Sequence, residues 1–208
     1  MVKKTNVLKR FVVYMAVMTF VMFTVWAFVK SFRDRPPGDY ETEVCDIRLK
    51  DKKYDQALEA ANKALYKTPN HRGAIMCKAL IFISQEKYLE ATNELTYLID
   101  YLKKNNEDDD KTGRGTLAAA YANRGIIKDR NKNYNGALED YIKALGIDHE
   151  AVAGPGLGAI ILNYKFKSSS VKERALYLNE QLQLPEEQRV LSIKELDEGQ
   201  VMHKPGKL

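Results

Sequence analysis

Tyr54-Asp55-Gln56-Ala57-Leu58 returns as Tyr88-Leu89-Glu90-Ala91 and again as Tyr134-Asn135-Gly136-Ala137-Leu138. The first two copies are 34 residues apart, and the third follows after 46, which is 34 plus an insert of 12. Self-similarity at such a period is the mark of a stacked repeat, in which one supersecondary unit buries its apolar face against the next. Each copy opens the same helical pattern. Ala57 is followed by Ala61 and Ala64, Ala91 by Leu95 and Leu98, and Ala137 by Tyr141 and Ala144, steps that keep one helical face. The first copy ends at Thr68-Pro69-Asn70. A second helix precedes each copy. Ahead of the third it carries Tyr121-Ala122-Asn123-Arg124-Gly125, and Cys45 and Ala79 are the small residues equivalent to Gly125. Small residues there let two helices cross closely, where a large side chain would wedge them apart. The unit is helix, tight turn, helix.

These residues resemble the tetratricopeptide repeat family, whose pattern is W-x2-L-G-x2-Y, then A-x3-F, then P. The third copy fits best, with Tyr121-x2-Arg124-Gly125 and then Ala137-x3-Tyr141. The first fits in its second helix and at Pro69, but has Glu41 and Arg48 at large apolar positions. The second has Ile75, Ala79, Phe82, Ala91 and Leu95, with Lys103 in place of the closing proline. The resemblance covers residues 39–149, as repeats 39–71, 72–104 and 118–150. It implies an all-α fold: a right-handed superhelix of antiparallel helix pairs with a concave inner face.

The resemblance also implies which side chains face inward. They are Asp39, Thr42, Asp46 and Leu49 in the first copy, and Gly73, Met76, Leu80 and Ile83 in the second. In the third they are Ala119, Ala122, Ile126, Asp129 and Arg130. Asp46, Leu49, Met76, Leu80, Ile83, Ala122, Ile126, Asp129 and Arg130 are therefore the expected partner-binding groove. Its middle is apolar and its ends are polar, which suits an amphipathic segment. The same side chains also suit packing between neighbouring helices. Some family members clamp a C-terminal carboxylate with Lys, Asn and Arg. Thr42, Asp46 and Ala119 occupy three of those places here, so that clamp is not expected.

The insert lies around Lys103–Gly115 and contains Glu107-Asp108-Asp109-Asp110. Four acids in a row invite a calcium reading, but the EF-hand spacing and its glycine are absent, and a solvated loop is expected, with the second helix of copy two extending to about Lys104 before it. Gly154-Pro155-Gly156-Leu157-Gly158 lacks the spacing, the preceding strand and the Lys-Ser/Thr of a phosphate loop. A degenerate helix from Pro155 is expected instead. Ser170-Val171-Lys172-Glu173 reads as a capping box opening a helix over Val171–Gln183. With the helix before it, this forms a capping pair over 151–198 that covers the open end of the stack. Pro185 is expected to start a further helical piece toward Asp197, and 199–208 to form a flexible tail.

Upstream of the repeats, FVVYMAVMTFVMFTVWAFV (Phe11–Val29) runs for 19 residues without a charge. As a helix it is roughly 28 Å long, close to the hydrocarbon thickness of a bilayer. Lys9 and Arg10 close one end, Lys30 and Arg33 the other, and Trp26 lies near the second boundary. A transmembrane helix over 11–30 is expected, after a basic tail (1–10) and before a Pro-rich linker (31–38). A cleaved signal peptide fits less well, because the apolar run is long and Val25-Trp26-Ala27 is a crowded cleavage site. The charges then explain themselves. The chain has 33 Lys+Arg and 28 Asp+Glu, but residues 1–30 hold five bases and no acid, so the remaining 178 residues hold 28 of each. A neutral domain lacks the cationic excess of a nucleic-acid binder. The bases lean the topology toward N-terminus inside, with the repeats outside the cytoplasm.

Cys45 and Cys77 form no metal-binding spacing. They fall on first helices of neighbouring repeats, where small-residue packing is expected, and a disulfide if the domain is exported. His71, His149 and His203 are scattered, the first two at matching inter-repeat turns. No nucleophile, metal or phosphate motif is present, so neither an enzyme, a cofactor nor a small-molecule substrate is expected. The expected function is a membrane-anchored adaptor or scaffold that holds a protein partner near the bilayer during assembly of a membrane or envelope complex. The alternative is a periplasmic holdase-type chaperone for exported clients.

Overall fold

The structure is a computed structural model that describes residues 2–33, 35–107, 109–152, 170–193 and 200. Among these residues there are eight α-helices and no strand. They are α1 (Val2–Arg33), α2 (Asp39–Lys50), α3 (Tyr54–Lys67), α4 (Arg72–Ser84), α5 (Tyr88–Asn105), α6 (Lys111–Arg130), α7 (Tyr134–Ile147) and α8 (Val171–Gln183). A single 3₁₀ turn follows at Glu186–Gln188. The fold is all-α. Helices α2 to α7 form three antiparallel pairs, each packed on the next, and α8 packs on α7. Helix α1 is long and apolar enough over Val7–Lys30 to cross a membrane, and its apolar side chains are exposed.

Each pair closes in the same way. At the turn between its helices one residue has positive φ: Lys52 (59°), Glu86 (58°) and Lys132 (61°). Its N–H bonds back three residues, and the next N–H bonds back five, as in Lys52 to Leu49 and Lys53 to Arg48. The other two turns repeat this with Ile83 and Phe82, and with Asp129 and Lys128. This is the Schellman arrangement, here with a charged residue where glycine is usual. Beyond the turn the small residues meet the second helix. Cys45, Ala79 and Gly125 are all buried. A Cβ on Gly125 would stand 2.6 Å from the Tyr141 ring and 3.3 Å from the Ala137 carbonyl. An ion pair across the third pair, Arg124 to Asp140 at 2.8 Å, recurs across the second as Lys78 to Glu94 at 2.6 Å.

Three expectations change. Cys45 and Cys77 are bonded as a disulfide that joins α2 to α4, in place of simple small-residue packing. The insert is mostly helix: α5 runs on to Asn105, close to the expected Lys104, but α6 starts already at Lys111, inside the expected loop. Helix α5 has 18 residues against 14 in α3 and α7, and α6 has 20 against 13 in α4. Five residues separate α5 from α6 against four between α3 and α4, which completes the twelve. Asp110 is therefore a helix cap and not a solvated acid. After Pro185 the chain makes only the 3₁₀ turn and then runs non-helically through residue 193. That run lies along α8 because Arg174, Tyr177 and Gln181 take its backbone at Leu191 and Val190. The capping box at Ser170 and Glu173 forms, opening Val171–Gln183. The expected helix from Pro155 and the tail beyond residue 200 lie outside the described residues.

Glycine exchanges at the two kinds of special position should have opposite signs. Gly125→Ala should destabilise the full chain by about 1–3 kcal/mol, because the buried Tyr141 ring has no room to move. Lys132→Gly should stabilise it by about 1 kcal/mol, by relieving the left-handed residue. Thermal unfolding of the full chain in detergent, followed by circular dichroism, measures both.

Candidate partner-binding cleft

In antiparallel pairs the first helices begin, and the second helices end, at one edge of the stack. That edge also receives the linker. Thr68 Oγ1 donates to the Pro37 carbonyl at 2.8 Å, and Asp39 N–H to the Pro36 carbonyl at 3.2 Å. Gly38 has φ of 96°, with Ala64 and His71 against it. From Lys30, where the apolar span ends, to Pro37 the chain reaches at most about 20 Å.

A cleft of about 690 Å³ opens at this edge. Arg35 and Pro36 of the linker and Asp39, Thr42, Glu43 and Asp46 of α2 form one wall. Asn70, His71, Arg72 and Gly73, the turn into α4, form the floor. The opposite wall is Tyr101, Leu102, Asn105 and Asn106 with Asp110, Thr112 and Thr116. All of this wall but Tyr101 lies in the segment that the insert adds. Helix α6 starts seven residues before its counterpart α4, which carries it about 10 Å past the edge. Without the insert the cleft would have no far side.

The floor is held by hydrogen bonds. His71 caps α4: its Nδ1 accepts the Ala74 N–H at 3.2 Å. That leaves Nε2 to carry the hydrogen and donate to Asp39 at 2.9 Å. Asp110 caps α6 by accepting the Gly113 N–H at 2.8 Å, and it also pairs with Arg72. The Gly113 N–H, with Arg72 beside it, holds the Asp110 carboxyl below its ordinary range. Arg35 pairs with Glu43 at 3.1 Å. The lining holds four carboxylates and two guanidiniums, so it is polar with an acidic excess.

The groove expected from the repeat pattern is not an open surface. Met76, Leu80, Ile83, Ala122 and Ile126 are all at most 4% exposed and belong to one core cluster. First helices in so short a stack meet one another, as Asn123 meets Met76 Sδ at 3.6 Å. Val152, Val171, Ala175 and Leu178 from the C-terminal part join the same cluster. Asp129 is also buried. Arg174 of α8 grips both its oxygens at 2.8 Å, and Tyr141 and Gln200 donate to it. Burial, and then the Asp129 carboxylate, push the Tyr141 phenol well above its ordinary range. Leu49 is half-buried against the core, Arg130 is exposed, and Asp46 alone of the expected set lines the cleft. His149 is exposed, and His203 lies outside the described residues. Among the described residues no group of three or more His, Cys, Asp or Glu is placed to hold a metal ion.

Neither a scan against models of known protein families nor a search of curated proteins finds a match to this chain.

Acid unfolding tests the floor. A carboxyl held low when folded adds stability above its ordinary range and loses it as pH falls through the lowered value. Asp110→Ala should cost about 1 kcal/mol at neutral pH and flatten the loss of stability below about pH 4. An acid-unfolding curve identical to wild type would show that Asp110 bears no part of it.

Proposed function

We propose that this chain is a non-enzymatic, membrane-anchored adaptor of the tetratricopeptide-repeat type. It holds a segment of a protein partner next to the bilayer, in the service of assembling a membrane or envelope complex. The observation that carries this reading is the open cleft at the edge that bears the anchor. A tether of about 20 Å confines that cleft to the membrane vicinity, which raises the local concentration of any partner anchored beside it. The repeat-type reading rests on three recurring pairs with identical turns and on the small residues at their crossings. The soluble part is placed outside the cytoplasm, a reading that the Cys45–Cys77 disulfide favours, since such bonds persist in oxidising compartments. A holdase would need an open apolar surface, and the residues expected to form one are buried.

Two measurements test this. A photo-crosslinking residue at Asn70 in cells should give one dominant adduct, absent when it is placed at Leu89 on the opposite edge. A broad ladder of adducts would favour the holdase, and equal labelling from both sites would remove the cleft from consideration. Separately, a mass-tagged maleimide should leave the denatured chain unmodified until reductant is added, and then add two tags, one per half-cystine. Tagging without reductant in freshly quenched cells would place the repeats on the reducing side.

A further inference from the structure

The cleft already contains one example of the chemistry it is built to take. Arg35 lies five residues past the apolar span, and its guanidinium is paired with Glu43 inside the cleft. It is a juxtamembrane base on a cleft acid. Glu43 is the middle member of a row on α2: Asp39, Glu43 and Asp46 line the same wall. Spacings of four and three residues put them on one helical face. The far wall offers neutral donors and acceptors, Asn105, Asn106, Thr112 and Thr116. Exposed Glu107 and Asp109 add acid in the loop beside it. This local excess stands out because residues beyond 30 are balanced overall, with 28 bases and 28 acids. At the floor Arg72 and Asp110 pair with each other and cancel, so the acidic excess lies along α2, where Asp39, Glu43 and Asp46 face Arg35.

We infer that the cleft receives a basic juxtamembrane segment of a second membrane-anchored protein, laid along the acidic face of α2 beside Arg35. This deepens the adaptor reading and rests on it for the site. Lys and Arg gather where transmembrane helices leave the bilayer, as they do in this chain at Lys30, Arg33 and Arg35. A segment of that kind emerges within reach of a cleft tethered so closely. Arginine supplies planar pairing to the row of carboxylates, and the amides opposite suit the backbone of an extended peptide.

The test uses the full chain in nanodiscs of phosphatidylcholine. The probe is a fluorescent synthetic peptide with arginine at every third position. Matched peptides carry glutamine or glutamate at those places. Anisotropy should show binding of the arginine peptide alone, weakening as salt rises. Asp39→Asn with Asp46→Asn should weaken it about tenfold, while Asp55→Asn on exposed α3 surface leaves it unchanged. Arg35→Gln should tighten it severalfold by removing a positive charge from the acidic wall, whereas Lys53→Gln at the opposite edge leaves it unchanged. Thermal melts of each variant establish that it is folded. Equal binding of all three peptides, or no response to the α2 and Arg35 variants, overturns the inference. If Asn70 still cross-links one partner while the arginine peptide fails to bind, the segment class is wrong and the adaptor stands. If the arginine peptide binds as expected but no cross-link forms in cells, the cleft chemistry stands and the adaptor reading falls.

Discussion

Everything in the stack depends on how closely the two helices of a pair can cross. At Gly125 the distance is set by an aromatic ring and a carbonyl that leave no space for one methyl group. At Ala79 and Cys45 the limit is looser, and both side chains are fully buried. Close crossing fixes where the turn must reverse, and the reversal is tight enough to force a left-handed residue at Lys52, Glu86 and Lys132. It also fixes the spacing at which the next pair stacks. The Arg124–Asp140 and Lys78–Glu94 pairs occupy equivalent places because the crossing geometry is equivalent. In the first pair those places hold Val44 and Ala60, which pack into the smaller core cluster instead.

The third pair carries a buried acid at a position where the other two carry an apolar residue. Ile83 and Leu49 occupy the place that Asp129 takes in the third pair. An acid there costs several kcal/mol unless paired. Arg174 answers it with two hydrogen bonds, and its own guanidinium also reaches the Leu191 carbonyl. The acid is matched by an arginine in the first turn of α8, which ties that helix to the third pair. Residues of α8 join the same core as the side chains expected to form the groove, which the neighbouring first helices already bury against one another.

The helix pairs were legible because their signals are local. Tyr and Ala at fixed steps define a face, and Gly125 marks a crossing. Ser170 and Glu173 announce a helix start at three residues' separation. The turns were less legible, since lysine and glutamate are poor markers of positive φ. The disulfide needed α2 and α4 side by side before Cys45 and Cys77 could be seen to meet, and sequence separation alone left packing as the simpler reading. The groove failed for a related reason. Inward position on an isolated repeat does not distinguish exposure from burial under a neighbour, and Met76, Leu80 and Ile83 have the composition of either. Asp129 looked like a polar rim residue because Arg174, 45 positions later, was not visible as its partner.

The cleft shows how a repeat protein acquires a site without changing its repeats. The 34-residue unit has only a shallow edge, where helix ends and caps are matched pair by pair. Twelve extra residues placed between the second and third units do not interrupt the stack, because both flanking helices simply continue outward. The extension raises one wall, the linker supplies part of the other, and the caps at His71 and Asp110 seal the floor between them. Its position follows from connectivity: the edge that α5 and α6 can extend is the edge where second helices end and first helices begin, and the linker from α1 enters at that same edge because α2 is a first helix. Cleft and apolar span are therefore brought together by the antiparallel rule of the fold, and the acidic excess of the lining falls at that same corner.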